Sequence, residues 1–281
     1  MKIVIAPDSF KENLTALEVA TAIENGIKRV VPEAQCIKVP MADGGEGTVQ
    51  ALVDATGGRI LRTQVVGPLG EKVNAAYGFL GNGVTAVIEM AEASGLPLVP
   101  REARDPLKTT TFGTGELIID ALNNGAQTII LGLGGSATVD GGAGMAQALG
   151  VKFLDQKGQL ITGHCGGGVL DKIAKIHVSG LDPRFQGTKI ILADVDNPLC
   201  GERGAARVFG PQKGATPEMV GILDRNLWHF AKVIKAELGV DIANLPGAGA
   251  AGGLGAGLIA FGHAEIRRGV ELVIEAPGLE Q

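Results

Sequence analysis

The first 55 residues alternate between apolar strands and amphipathic helices, and this alternation restricts the fold more than any other feature of the sequence. Residues 2–6 have the composition of a short buried strand, and apolar residues then recur at helical spacing over residues 16–30. The strand pattern returns at 36–39 and the helical pattern at 47–55. A β-α-β-α order requires a parallel sheet with right-handed crossovers, so the sequence predicts an α/β fold.

The pattern changes after residue 58. Three strand-like runs at 59–66, 73–79 and 84–90 follow one another without helical spacing, which predicts an antiparallel meander and a domain boundary near Gly67. The α/β alternation then resumes, with predicted helices at 115–123 and 143–149 and predicted strands at 128–133, 188–193 and 270–275.

Two further segments have distinctive patterns near the end of the chain. Thr216, Pro217 and Glu218 follow the order preferred at a helix start, and they predict a long helix that ends at Gly239. Residues 242–264 carry no Asp, Glu, Lys or Arg, but one proline and seven glycines make this stretch a poor membrane span. We predict a loop followed by a buried helix, and no membrane partner.

The composition narrows the class of protein. Glycine contributes 44 of the 281 residues, roughly twice the average share, which is typical of an α/β enzyme whose loops approach a ligand closely. The net charge of −5 argues against a nucleic-acid partner. The three cysteines lie far apart without a Cys/His cluster, which disfavours a disulfide framework and a zinc site. No signal-peptide pattern is present, so a cytoplasmic location is predicted.

Polar residues follow the first predicted strand, where ligand-binding loops of open α/β sheets lie. Asp8, Ser9 and Lys11 precede the first helix. An acid, a hydroxyl and an ammonium group at a helix start could hold an anion. Capping of the helix by these residues is the alternative.

The segment after the second strand combines glycines with carboxylates. Asp43 and Glu46 flank a glycine pair and precede a further glycine. Two carboxylates beside a flexible backbone suit a Mg²⁺-bound phosphate or a substrate hydroxyl. An ordinary glycine turn is the alternative.

The glycine-rich block at residues 132–150 points most clearly to a ligand. Gly134, Gly135 and Ser136 end a strand, and Thr138 lies between them and the start of a helix. Backbone N–H groups and hydroxyls arranged in this way predict a phosphate cradle. No Gly-Lys-Ser/Thr sequence follows and the context of a dinucleotide fingerprint is missing, which disfavours a P-loop NTPase and an NAD-dependent oxidoreductase.

Residues 193–216 are also dense in polar groups. Asp194 and Asp196 end a strand, where a carboxylate can bind a metal ion or accept a proton. Arg203 and Lys213 follow and could neutralise phosphate charge.

Six of these blocks together resemble the bacterial class I glycerate kinases, and they occur in family order across nearly the whole chain: APDSFKENLTA, ADGGEGT, GLGGSATVDGGAGMAQALG, DVDNPL, FGPQKGAT and GAGAAGGLGAG. The resemblance implies transfer of the ATP γ-phosphoryl group to D-glycerate, at the 2-hydroxyl, with Mg²⁺. It also implies a flavodoxin-like parallel-sheet domain with a second α/β domain inserted into it, and an active site between the two. Phosphorylation of the 3-hydroxyl, or a non-catalytic protein that binds an anion or a sugar acid, are the alternatives.

Under the kinase hypothesis each candidate residue has an expected role. Asp194 is expected to orient the metal or accept the hydroxyl proton, with Asp43 as second choice and Lys11 as a charge-neutralising group. The acceptor glycerate is expected to bind Asp8, Ser9 and Arg203. The ATP phosphates are expected to bind Gly134, Gly135, Ser136, Thr138 and Lys213. The metal ion is expected to bind Asp194, Asp196 and Glu46.

The resemblance also predicts the domain organisation. Residues 1–67 would be the first part of the flavodoxin-like domain, and residues 68–281 the inserted α/β domain. Family members continue beyond this length, so we expect the returning part of the first domain to be missing here, or to be supplied by another chain in a homo-oligomer.

Overall fold

The computed structural model describes residues 1–7, 10, 13–14, 16–39, 47–187, 189–193 and 196–267. Its strands are β1 Lys2–Ile5, β2 Gln35–Lys38, β3 Arg59–Val66, β4 Lys72–Phe79, β5 Thr85–Glu89, β6 Thr128–Gly132, β7 Lys152–Leu154, β8 Lys175–His177, β9 Lys189–Ala193 and β10 Glu265–Arg267. Its α-helices are α1 Ala16–Val30, α2 Thr48–Thr56, α3 Ala91–Ser94, α4 Phe112–Asn123, α5 Ala143–Ala148, α6 Pro183–Gly187, α7 Ala205–Phe209, α8 Pro217–Leu238 and α9 Ala250–Gly262. Short 3-10 helices lie at Leu96–Leu98, Arg101–Ala103, Gly167–Lys172 and Pro211–Lys213.

The predicted α/β fold is confirmed, and its centre is a six-stranded sheet in the order β10-β9-β6-β5-β4-β3. The pairs from β10 to β5 are parallel, and β5-β4 and β4-β3 are antiparallel. The predicted meander is therefore correct. Separate two-stranded sheets are formed by β1 with β2, in parallel, and by β7 with β8, in antiparallel orientation.

The central strands bury side chains on both faces, which explains their continuous apolar composition. On one face, Val87 and Ile130 pack with the apolar side of α2. On the other, Ile88, Ile129 and Leu131 join the larger core formed with the remaining helices. The alternation of these neighbours between two cores follows from the two-residue period of a strand.

The predicted boundary near Gly67 falls between two paired strands. Strand β3 precedes this position and pairs with β4 along its whole length, from Arg59 opposite Phe79 to Val66 opposite Lys72. Helix α2 also precedes it and packs on the same sheet. The division into residues 1–67 and 68–281 stays a prediction, as does its completion by a further segment or chain.

The helix signals near the end of the chain are confirmed. The Thr216 hydroxyl accepts a hydrogen bond from the Met219 amide at 3.3 Å, Pro217 is the first residue of α8, and Gly239 ends the helix with φ +74°. Helix α4 begins three residues earlier than predicted. Residues 270–275, predicted as a strand, lie outside the described residues.

The predicted buried helix within residues 242–264 is α9, and it contains a sharp kink. Ala251, Gly252 and Gly253 all have positive φ, between +51° and +91°. A Cβ atom at Gly252 would overlap the carbonyl oxygen of Thr138, and the Gly252 carbonyl accepts a hydrogen bond from Gly141 at 3.1 Å. The kink therefore lets α9 pack against the chain that follows β6.

We expect Gly252→Ala to destabilise the protein far more than Gly158→Ala. Both glycines have positive φ, +70° and +77°, but a Cβ at Gly158 would meet no atom within 4 Å. The control should cost about 1 kcal/mol of unfolding free energy for the backbone conformation alone. Overlap with Thr138 should add about 2 kcal/mol for Gly252→Ala. Urea denaturation of both variants measures the difference, and equal losses would contradict this account of the kink.

Candidate functional site

Three parallel strands end level with one another and place their loops at one edge of the sheet. Glu89 at the end of β5 is paired with Gly132 at the end of β6, and Gly132 is paired with Ala193 at the end of β9. Ligands of open α/β sheets bind at the carboxyl ends of the strands. This edge is therefore the candidate site, and it contains the predicted loops after β6 and β9.

Helix α2 begins at the same edge. The amide of Val49, in its first turn, donates a hydrogen bond to the Glu89 carboxylate at 2.9 Å. Gly47 precedes the helix with φ +91°, a conformation that favours glycine. Asp43 and Glu46 lie outside the described residues.

The residues Gly134, Gly135 and Ser136 form a turn after β6, called here the glycine turn, in which Ser136 is buried. Both glycines are exposed, and Gly135 has φ +71°. The Gly135 carbonyl accepts a hydrogen bond from the Leu96 amide at 2.8 Å, and Ser136 forms an isolated bridge with Gly95. The turn is thus fixed on the segment that follows β5, with its glycines open to solvent.

The side chain of Lys213 holds the glycine turn from inside the protein. This residue ends the 3-10 helix Pro211–Lys213, and it is only 1% exposed. Its Nζ donates hydrogen bonds to the Ser136 Oγ and to the Thr138 carbonyl oxygen, both at 2.7 Å. Because both acceptors belong to the chain leaving β6, this one amine fixes the path of that chain.

Burial changes the protonation of Lys213. The loss of hydration lowers the pKa of its amine to about 7, and the charge of Asp140 opposes this change. An amine with this pKa carries a full positive charge only in acid solution. Lys213 was predicted to neutralise phosphate charge, and its position supports a role in holding the glycine turn.

Asp140 anchors two helix starts behind the turn, and sequence reasoning did not include it among the site residues. It is fully buried, and its carboxylate accepts hydrogen bonds from the Thr111 amide and hydroxyl, both at 2.8 Å, before α4. It also accepts from the amides of Gly142 and Gly144 at the start of α5, at 3.1 and 3.3 Å. Burial raises the pKa of Asp140, and these hydrogen bonds oppose the rise.

Three further glycines of the 132–150 block serve packing. A Cβ at Gly142 would lie 3.0 Å from the Cα of Gly257 in α9, and one at Gly141 would lie 2.9 Å from the Phe230 ring. A Cβ at Gly144 would overlap the Thr110 hydroxyl. These three positions are glycine because neighbouring segments approach too closely for a side chain, whereas Gly134 and Gly135 face solvent.

Of the other predicted site residues, one is buried, two are exposed and six lie outside the described residues. Thr138 is fully buried, and its Oγ1 makes no hydrogen bond within the described ranges. Asp196 and Arg203 are exposed, and the Asn197 side chain donates to the Arg203 carbonyl at 2.9 Å. The remaining candidates lie outside the described residues: Asp8, Ser9, Lys11, Asp43, Glu46 and Asp194.

The predicted metal site is only partly described. Among the residues whose placement is given, no three His, Cys, Asp or Glu side chains gather in a group that could hold a metal ion. Two of the three predicted ligands, Asp194 and Glu46, are outside those residues. The third, Asp196, presents an exposed carboxylate beyond the end of β9, which suits a hard cation such as Mg²⁺.

The fold defines an α/β protein whose candidate site lies at the carboxyl edge of its sheet, where open α/β sheets bind their ligands. Its family is shown by comparison with known proteins. The sequence model of the glycerate kinase family matches residues 3–281, and the chain belongs to this family.

Individual relatives are similar over the whole chain. It is 58% identical over 282 residues to the glycerate 2-kinase of Escherichia coli K12, covering 100% of this chain and 74% of that protein. It is 59% identical over 280 residues to a glycerate kinase of Halalkalibacterium halodurans, and the match covers 99% of this chain and 73% of that protein. A crystal structure from Salmonella typhimurium LT2, assigned as a glycerate kinase 2, matches this chain with a TM-score of 0.96 at 57% identity. The match covers 100% of this chain and 75% of that chain. The chain thus spans about three-quarters of the length of these relatives.

The helices within the described ranges are too short or too polar to cross a membrane. The predicted cytoplasmic location and homo-oligomeric state stay predictions.

The pKa of Lys213 makes a prediction about stability. An unfolded lysine has a pKa of about 10.4, so folding releases a proton between pH 7 and that value. The unfolding free energy of the parent protein should therefore rise with pH relative to Lys213→Met, by up to about 1.4 kcal/mol per pH unit. Urea denaturation of both proteins gives the difference in unfolding free energy between the parent and Lys213→Met, once at pH 7 and once at pH 9. A difference that stays constant would show that Lys213 keeps an ordinary pKa.

Proposed function

We propose that this protein transfers the γ-phosphoryl group of ATP to the 2-hydroxyl of D-glycerate, giving 2-phosphoglycerate and ADP. The observation that carries the proposal is the glycine turn with its exposed glycines, held at the carboxyl edge of the sheet by Lys213. The substrate is inferred from the names of the relatives, and the 2-hydroxyl from that of the E. coli relative.

The glycine turn supplies the chemistry that phosphoryl transfer depends on. Such transfer relies on positioning and on stabilisation of the phosphate charge. Exposed glycines let backbone N–H groups approach phosphate oxygens closely, as in other anion-binding backbone concavities. We place the ATP phosphates at Gly134, Gly135 and Ser136, with Lys213 keeping the turn in place from behind.

We assign the acceptor side of the reaction to residues that follow β1, β2 and β9 in the sequence. The 2-hydroxyl oxygen of glycerate attacks the γ-phosphorus, the bond from that phosphorus to the β-phosphate oxygen breaks, and ADP leaves. The hydroxyl proton passes to a carboxylate, for which Asp194 is the first candidate and Asp43 the second. We assign Asp8, Ser9 and Arg203 to the glycerate.

In this proposal ATP, the phosphoryl donor, binds together with Mg²⁺. A carboxylate set of Asp194, Asp196 and Glu46 would hold the ion, and the exposed oxygens of Asp196 are of the type that Mg²⁺ prefers. When bound, the ion neutralises charge on the phosphate oxygens.

The decisive test is the product formed from ATP and D-glycerate. In phosphorus NMR with proton coupling, a phosphate on carbon 2 is split into a doublet by one neighbouring proton, whereas a phosphate on carbon 3 is split into a triplet by two. We expect ADP release that requires glycerate, together with a doublet. A triplet would reassign the protein to the 3-hydroxyl, and the absence of glycerate-dependent ADP release would contradict kinase activity.

Activity should depend on the metal. We expect turnover to fall to the background rate in excess EDTA and to return when Mg²⁺ is added beyond the chelator, because the phosphate charge is otherwise not neutralised. The melting temperature of the protein without substrates, measured in both solutions, shows whether the chelator acts on the fold instead. Full turnover in excess EDTA would remove the metal from the proposal.

A further inference from the structure

The side chain of Arg104 carries a buried nitrogen, Nε, that has no hydrogen-bond partner among the described residues. The residue follows the 3-10 helix Arg101–Ala103 and is partly buried. Its Nε is out of contact with solvent and donates no hydrogen bond to any residue whose placement is described. A buried donor attached to a permanent positive charge is costly to leave without an acceptor.

The neighbouring acid does not neutralise this charge. Asp105 forms a salt bridge with Lys108 through its Oδ2 at 2.9 Å. Its Oδ1 accepts a hydrogen bond from the Leu107 amide at 3.1 Å. Both oxygens are therefore engaged locally, and neither accepts a hydrogen bond from the Arg104 Nε.

Arg104 lies beside the segment that holds the glycine turn. A Cβ at Gly214 would lie 2.5 Å from the Arg104 carbonyl oxygen and 2.7 Å from the Arg104 Cβ. Gly214 directly follows Lys213, whose amine binds Ser136. Arg104 is thus packed against the same short segment that fixes the turn.

A second unpartnered polar atom belongs to Thr138, a residue that Lys213 binds. In the described part of the chain, the buried side-chain nitrogen and oxygen atoms without a hydrogen bond are the Nε of Arg104 and the Oγ1 of Thr138. Thr138 contacts Lys213 through its carbonyl oxygen. Buried unpaired polar atoms are rare in native proteins and often mark a place where a ligand or ion completes the hydrogen bonds.

We propose that Arg104 binds an oxyanion of a bound substrate, either the carboxylate of the acceptor or a phosphate group of the nucleotide. The planar guanidinium matches both groups, because each offers two oxygens to its parallel N–H donors. This role rests on the proposed function and adds to it a binding residue that the motif analysis had not singled out.

The test compares Arg104→Met with Arg101→Met. Arg101 is exposed and lies three residues earlier, so its variant removes the same charge from the surface. Melting temperatures are measured without ligand, with D-glycerate alone and with ATP alone, and KM is measured for each substrate. Arg104→Lys, which keeps the charge but not the planar donor pair, is included as the conservative variant.

We expect Arg104→Met to abolish the rise in melting temperature caused by one ligand and to raise the KM for that ligand at least tenfold. The KM for the other ligand should stay within twofold, and which ligand is affected identifies the oxyanion. Arg104→Lys should be intermediate and Arg101→Met unchanged. Without ligand, Arg104→Met should melt no lower than Arg101→Met, because the Arg104 Nε donates no hydrogen bond to an acceptor in the described ranges that the variant could lose.

Unchanged ligand shifts and KM values in Arg104→Met would overturn the proposal, and so would a parent protein whose melting temperature neither ligand raises. The outcome is separable from that for the proposed function. A parent protein that phosphorylates glycerate while Arg104→Met behaves identically keeps the function and removes the role of Arg104. If the parent protein binds D-glycerate or ATP but shows no turnover, the melting temperatures of the parent and of Arg104→Met with that ligand still decide whether Arg104 binds it.

Discussion

A single buried amine connects the two parts of the candidate site. The Nζ of Lys213 binds a hydroxyl and a carbonyl oxygen on the chain leaving β6, and so it connects the short helix Pro211–Lys213 to the glycine turn. This contact lies in the interior, where hydrogen bonds are electrostatically stronger than in water and an unmade bond is costly. Removing it would leave Ser136 and Thr138 without these partners.

The scaffold behind the turn depends on close backbone approach. Asp140 caps the starts of α4 and α5 together, and the glycines that follow it let α9 lie directly against the chain. Side chains at Gly142 or Gly252 would push these segments apart. A turn that binds phosphate needs such rigidity, because its backbone donors must already point at the ligand when it arrives.

The sequence predicted those features that depend on local patterns. The α/β alternation, the meander of β3 to β5 and the Thr216 cap each follow from spacing or from residue preference within a few positions, and each is confirmed. The short strands β7 and β8 were not predicted, since three residues carry too little pattern.

The site was predicted less completely, because it depends on contacts between residues that are distant in the sequence. All the glycines of the 132–150 block look alike in sequence, yet only long-range packing decides that Gly135 faces solvent while Gly142 faces α9. Lys213 appeared in a polar motif, but its burial depends on contacts 75 and 77 residues away along the chain. Arg104 lies in no glycine-rich block, and its distinguishing feature, a buried Nε without an acceptor in the described ranges, depends on tertiary structure.

The central claim is that the glycine turn binds the phosphates of ATP, and backbone amide NMR of glycine-labelled protein tests it most directly. On addition of ATP, the amide signals of Gly134 and Gly135 should shift, while those of Gly81 and Gly83 in the exposed β4–β5 connection should not. Adenosine, which lacks phosphate, should leave all four signals in place. Signals of Gly134 and Gly135 that do not respond while ATP shifts other amides would show that the nucleotide binds elsewhere.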